Sequence, residues 1–209
     1  MAFKKSVFLR RADREDLDTI VEWMEDTDFH HFLYGDPARS PKQVREQIVG
    51  MLGRTMSQTM PNAVYLLIDS EDGPMGILSL QNISWRNRSC SLDLYIRKEF
   101  RSKAVAALAF FRAMEYAFDE LNLHRVAAYI YSFNSPSWRL MEFSGAKREL
   151  VLKDHVARDG KLYDLYAYGM LRDEFEQLRA KYAEKYPEAT LAAMLQAMNE
   201  KEQKAESQT

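Results

Sequence analysis

The segment SLDLYIRKEFRSKAVAALAFFRAMEYAFDELNLHRVAAYIYSF, residues 91–133, constrains this chain most. Its first part alternates, with Leu92, Leu94 and Ile96 on one face and Ser91, Asp93 and Tyr95 on the other, as a strand requires. Ala107, Phe110, Phe111, Met114 and Phe118 then recur at the spacing of a buried helical stripe. HRVAAYIYSF reads as a second strand. A strand, a crossover helix and a strand in one sheet take the right-handed connection, which makes the two strands parallel.

The rest of the chain builds around that unit. SVFLRRA is a short strand candidate. A helix follows on Leu17, Ile20, Val21 and Met24, with Asp13 as its expected N-cap and Asp16 three residues on. Gly35 and Pro37 break it. A second helix restarts with Ser40 as N-cap and Pro41 in the first turn, and Val44, Ile48 and Met51 or Leu52 supply its apolar face. NAVYLLIDS, MGILSLQNISW and SCSLDLYI form a three-strand meander with turns at EDGP and RNR. SPSWRLMEF is a short helix closed by Gly145, and AKRELVLKDHV, ARDG and KLYDLYAYGML make a last hairpin. Strand, two helices, meander, helix, strand, helix and hairpin give an α/β (α+β) fold with a mixed sheet.

The 209 residues suit one domain with an appendage. The domain runs over 1–172. From 173 to 209 the chain is charged and helix-rich, divided by Pro187, with an apolar face on Leu191, Met194, Leu195 and Met198 and a frayed polar end. That face packs on its own domain or makes a homodimer contact. The net charge of −2 gives no global argument for nucleic acid. One cysteine, Cys90, excludes a disulfide framework and a Cys-based zinc site, and points to a reducing, cytoplasmic compartment. His30 and His31 are adjacent, a poor chelating geometry on a helix. No run approaches the about 18 apolar residues that span a bilayer, so a soluble protein is expected.

In an open α/β sheet, ligands favour the carboxyl ends of strands where neighbours diverge. That points to the end of SLDLYI and the helix start behind it, where Arg97, Lys98, Arg101 and Lys103 add charge. Such a start suits a phosphate.

Three segments here resemble the GCN5-related N-acetyltransferase (GNAT) superfamily, in its RimJ/RimL-like branch, over roughly residues 7 to 175. GILSLQNISWRNRSCSLDLYI looks like the family's central meander. FRSKAVAALAFFRAMEYAFDELNLHRVAAYIYSFN looks like its cofactor loop, helix and next strand. NSPSWRLMEFSGAKREL and DGKLYDLYAYGMLRDEF carry the most specific match, with Asn134, Ser137, Leu140, Gly145, Gly160, Asp164, Arg172 and Glu174 in step.

The resemblance implies a GNAT-like, mostly antiparallel sheet whose central parallel strands splay apart. It implies acetyl-CoA between those strands as co-substrate. The pantetheine would pair with backbone around Tyr95 and Ile96, and the pyrophosphate would sit on the N–H groups of Arg101, Ser102, Lys103, Ala104, Val105 and Ala106. The acceptor would be a primary amine on a small molecule, a protein N-terminus or an amino-sugar nucleotide, which attacks the thioester directly. Ser137 would donate to the leaving thiolate and Asn134 would hold the cofactor or a water. The carboxylate common in this branch is replaced by Ser91, so Asp93 is the substitute base, with Glu142 a weaker candidate. The tyrosine acid of many members is Met141 here.

The pyrophosphate loop departs from the family pattern at Ala104, where glycine is usual. If residue 104 is already helical, the methyl costs little. If the position needs φ > 0, alanine costs on the order of 1 kcal/mol or more. Two other readings stay open: a binding or assembly module on the same fold, and transfer of a longer acyl group past Met51, Met56 and Met60.

Overall fold

The computed structural model describes residues 7–26, 29, 41–57, 60–101 and 103–185. Seven strands form one sheet: β1 (Phe8–Arg11), β2 (Val64–Asp69), β3 (Gly76–Ser84), β4 (Ser89–Ile96), β5 (Arg125–Tyr131), β6 (Lys147–Arg158) and β7 (Lys161–Leu171). Their order is β1-β2-β3-β4-β5-β7-β6. Every neighbour pair is antiparallel except β4 and β5, the two strands joined by the crossover helix. The β6–β7 hairpin turns on Asp159 and Gly160, both at positive φ, the left-handed pair that suits a two-residue hairpin turn.

The helices are α1 (Leu17–Glu25), α2 (Pro41–Ser57), α3 (Lys103–Glu115, continued by a π turn over Tyr116–Glu120), α4 (Ser135–Phe143) and α5 (Arg172–Lys185). The stripe expected on α3 is buried throughout, and so are Val105, Leu108, Ala109, Ala113 and Ala117. A helix apolar on so many sides belongs inside the domain rather than on its surface. It packs on one sheet face, against Leu78, Leu80, Leu92, Val126, Tyr168 and Met170, with α4 beside it through Met141. Phe175, at the start of α5, completes this core by packing on Phe111 and Phe118 at ring-centroid distances of 4.9 and 5.6 Å.

Helices α1 and α2 cover the opposite face, where Ile20, Trp23, Ile48 and Leu52 meet Leu67 and Tyr95. Among the described residues they reach only the β1–β4 half. Over β5, β7 and β6 no described helix covers that face, and Tyr129 is 57% and Leu150 50% exposed.

The expected N-cap of α1 is corrected. The helix starts at Leu17, and Asp16 occupies the cap without a side-chain cap bond. Arg10 is the reason: its Nη1 and Nη2 donate to Asp16 at 2.8 and 2.7 Å, and its Nε donates to Asp69 at 2.7 Å. The Asp16 carboxylate ties α1 to β1 and β2 instead of capping. Asp13 accepts from the Glu15 N–H in the turn before the helix. Ser40, His30, His31 and the tail from residue 186 lie outside the described residues. Among the described residues no helix is long and apolar enough to cross a membrane.

Arg172 and Glu174 hold the chain together rather than face a ligand. The Arg172 guanidinium donates to the carbonyls of Phe118 and Leu123, closing the end of the α3 π turn. Glu174 accepts from the Leu171 N–H at 2.9 Å and pairs with Lys147.

Candidate active site

The site arises where the parallel pair comes apart. β4 and β5 pair only over Ser89–Ser91 and Arg125–Ala127. β4 then runs on to Ile96 and β5 to Tyr131 without pairing each other. The cause lies in the strands' other partners: β4 stays in register with β3 as far as Gly76↔Ile96, and β5 with β7 as far as Tyr131↔Leu165. Each strand follows its outer neighbour, and a wedge opens between them.

The register decides which peptides face the wedge. The Arg97 N–H donates to the Met75 carbonyl at 2.9 Å, so the odd residues of β4 exchange bonds with β3. Leu92, Leu94 and Ile96 therefore turn their N–H and C=O groups toward β5 and the wedge. Tyr95 is corrected on this point. Its carbonyl lies against Gly76, 2.1 Å from where a Cβ on that glycine would stand, so it belongs to the β3 ladder. Ile96 does face the wedge, and its carbonyl accepts from Arg101 Nε at 2.8 Å.

The Tyr95 side chain leaves in the other direction. Its hydroxyl donates to Asp26 at 2.6 Å, and its ring packs on Phe29 at 4.9 Å. Burial, with the Asp26 carboxylate beside it, holds the phenol above its ordinary pKa, so the proton stays on. Tyr95 and Asp26 line a polar cleft of about 310 Å³ with Glu22, Trp23, Arg97, Lys98 and Glu99. Arg97 pairs with Glu99 and lies over Trp23 and Phe100, so its charge is engaged locally.

At the loop, residue 104 lies within α3, whose first helical residue is Lys103. The backbone there is right-handed, so no left-handed conformation is asked of alanine. The Val105 side chain is fully buried in the core and Ala106 is half-buried against it, so these positions have only their backbone to offer a ligand. Arg101 is exposed at the mouth of the loop. Ser102 lies outside the described residues.

Asp93 projects from β4 to the α1/α2 face, opposite Ser79 in register. Gln81 Nε2 donates to its Oδ2 at 2.7 Å and to Ser79 Oγ at 3.0 Å. Burial pushes the Asp93 carboxyl up to about 6. A single neutral donor does not compensate the loss of water around a carboxylate. Ser91, at the family's carboxylate position, donates to the Gln81 carbonyl at 3.2 Å and accepts from Asn82 Nδ2 at 3.1 Å.

Across the wedge, Asn134 is buried at the cap of α4, directly beyond β5, without a side-chain cap bond. Ser137 is half-buried in the first turn of α4. Glu142 is withdrawn from any such role: it pairs with Arg148 and accepts from the Tyr168 hydroxyl at 2.9 Å. Tyr166 and Tyr168 are packing residues, with the Arg148 guanidinium 4.2 Å above the Tyr166 ring. Missed in the sequence were Leu94, whose peptide faces the wedge, and Gln81, the donor to Asp93. Their one sequence signal was alternation across the meander, which needs a register to become a contact.

Residues 6–147 match the family model described as "Acetyltransferase (GNAT) domain". An uncharacterized N-acetyltransferase, p20, of Bacillus licheniformis is 22% identical over 173 residues, covering 83% of this chain and 97% of its own. Spermidine N(1)-acetyltransferase of Vibrio cholerae is 22% identical over 167 residues, covering 80% and 94%. The crystal structure of spermidine N-acetyltransferase from Vibrio cholerae in complex with CoA and spermine superposes with a TM-score of 0.73 at 20% identity, over 81% of this chain and 98% of that one.

Proposed function

Because the chain belongs to the acetyltransferase (GNAT) domain family, we propose that it moves the acetyl group of acetyl-CoA, the co-substrate, to the primary amine of a small acceptor by direct attack. The observation that carries this reading is the wedge between β4 and β5 after Ser91 and Ala127. It offers a row of outward peptide groups at Leu92, Leu94 and Ile96 to an amide-bearing chain. Beyond it lies the N-terminal turn of α3, with Arg101 beside it, for a pyrophosphate. The backbone at Ala104 fits that use without strain.

In the reaction the amine nitrogen bonds to the thioester carbonyl carbon and the carbon–sulfur bond breaks. Asp93 takes the amine's proton, and a carboxyl with a pKa of about 6 is suited to a base near neutral pH. Ser137 gives a proton to the departing thiolate, and Asn134 orients the cofactor or a bound water. The in-step match at Asn134, Ser137, Gly145, Gly160, Arg172 and Glu174 supports the RimJ/RimL-like branch. Of the three features that favour a binding module without activity, the helical backbone at residue 104 removes the conformational cost of Ala104, and the missing tyrosine and glutamate remain. For a longer acyl group, Met60 gives little support, being 61% exposed.

The test begins with thermal unfolding in acetyl-CoA. A ligand at about 100 times its Kd adds about 2.7 kcal/mol, or roughly 5–11 °C for a chain of this size. No shift at millimolar acetyl-CoA sinks the reading. With a shift in hand, Ser137→Ala and Asp93→Asn are expected to lower kcat by about ten-fold or more with little change in acetyl-CoA KM; full activity in both variants refutes the roles assigned to Ser137 and Asp93.

A further inference from the structure

Arg158 ends β6, and its register opposite Lys161 puts it at the mouth of the β6–β7 turn. Its Nε and Nη2 are buried and meet no acceptor among the described residues. Elsewhere Arg10, Arg125, Arg148 and Arg179 each meet a carboxylate. Buried donors on a permanent cation are seldom left unmade, and a native exception calls for a reason. Nε and Nη2 together form the side-on edge by which a guanidinium grips a carboxylate or phosphate with two parallel hydrogen bonds.

Its place in the fold says where such an anion would come from. The guanidinium lies 5.7 Å from the ring centroid of Tyr131, the last residue of the β5 wall of the wedge. Phe133 stacks on Tyr131 at 5.3 Å and meets Tyr163 edge-on at 4.8 Å. The pairs Tyr131↔Leu165, Val156↔Tyr163 and Arg158↔Lys161 put all these side chains on the sheet face that α3 does not cover, which is also the face of Asp93. The α3 start, where the pyrophosphate would sit, packs on the other face.

We propose that Arg158 anchors a carboxylate or phosphate group on the acceptor, so that the amine acetylated belongs to an anion-bearing molecule rather than a polyamine. This rests on the acetyltransferase reading above. The rings of Tyr131, Phe133 and Tyr163 are only half-buried, so they can yield to an entering anion and then screen the ion pair from water. A polyamine brings no partner for the guanidinium and adds like charge, a repulsive element that selects against it.

Paired amines test this: L-methionine against L-methioninamide, glucosamine 6-phosphate against glucosamine, and spermidine alone. Binding is read by thermal shift at millimolar amine with CoA saturating, and turnover by CoA release. At least one anionic member is expected to exceed its neutral partner ten-fold or more in affinity or kcat/KM. Arg158→Gln should bring that ratio near one. Arg158→Lys, which keeps charge but loses the fork, should fall between, and the KM for acetyl-CoA should hold in both. No preference for either anionic amine, or a preference for spermidine, overturns the proposal. So does a rise in acetyl-CoA KM in Arg158→Gln, which would assign the guanidinium to a cofactor phosphate. An acetyl-CoA shift in the same samples separates the two claims: if it is absent the acetyltransferase reading fails, and if it is present without anion preference only the role of Arg158 fails.

Discussion

Replacing Asp93 by asparagine should make the protein more stable, and only above a certain pH. The carboxyl titrates near 3.8 when unfolded and is pushed up to about 6 in the fold by burial. A raised carboxyl pKa means the native state prefers the protonated form. That contribution is complete below about pH 4 and is lost as the pH rises through 6. The shift is roughly two units at about 1.36 kcal/mol each, so the wild type gives up about 3 kcal/mol across this window. Asparagine has no charge to bury and still presents an oxygen to Gln81 Nε2, which donates at 2.7 Å. The stability difference between Asp93→Asn and wild type should therefore grow by about 3 kcal/mol between pH 3 and pH 8. In melting temperature this is about 6–12 °C. Acid-sensitive ion pairs such as Arg10–Asp16 are common to both proteins and cancel in the difference. Denaturant unfolding at half-unit pH steps reads it directly. A difference that stays flat with pH would mean that Asp93 titrates alike in the folded and unfolded chains and is not raised by burial. The same variant is expected to lose turnover, so the residue would trade stability for reactivity.

Gly76→Ala puts a Cβ 2.1 Å from the Tyr95 carbonyl oxygen, a main-chain atom that cannot rotate away. A loss of at least about 3 kcal/mol is expected, with acetyl-CoA binding weakened in whatever folds, since β4 is the wall of the wedge; chemical denaturation checks the first and thermal shift the second. Phe175→Ala empties a fully buried site between Phe111 and Phe118. It should cost about 3–5 kcal/mol, and a loss under about 1 kcal/mol would show that α5 is no part of the core.

Much of the fold was legible in the chain itself. The alternation of Leu92, Leu94 and Ile96 and the stripe from Ala107 to Phe118 specify a buried strand and a buried helix by local periodicity, and the handedness of crossovers then makes β4 and β5 parallel. Asp159 and Gly160 announce their turn by residue type. What local pattern could not carry was pairing. Asp16 is drawn from a capping role to Arg10 because β1 brings the guanidinium there. Whether Ala104 is harmless depends on where α3 begins, a matter of one or two residues that propensity does not resolve.

The sequence alone determined the order of strands and helices, the polar residues available to the site, and the helix that follows the β4 strand. Tertiary structure decided the rest. The residue-by-residue registers of β3 on β4 and of β7 on β5 open the wedge, turn the peptides of Leu94 and Ile96 into it, and send the Tyr95 hydroxyl to Asp26 instead. The same pairings leave Asp93 half-buried with a single neutral donor and leave two guanidinium nitrogens of Arg158 without an acceptor among the described residues. Periodicity is a property of neighbours along the chain, whereas burial, register and the pKa of a carboxyl are set by what other strands place beside it.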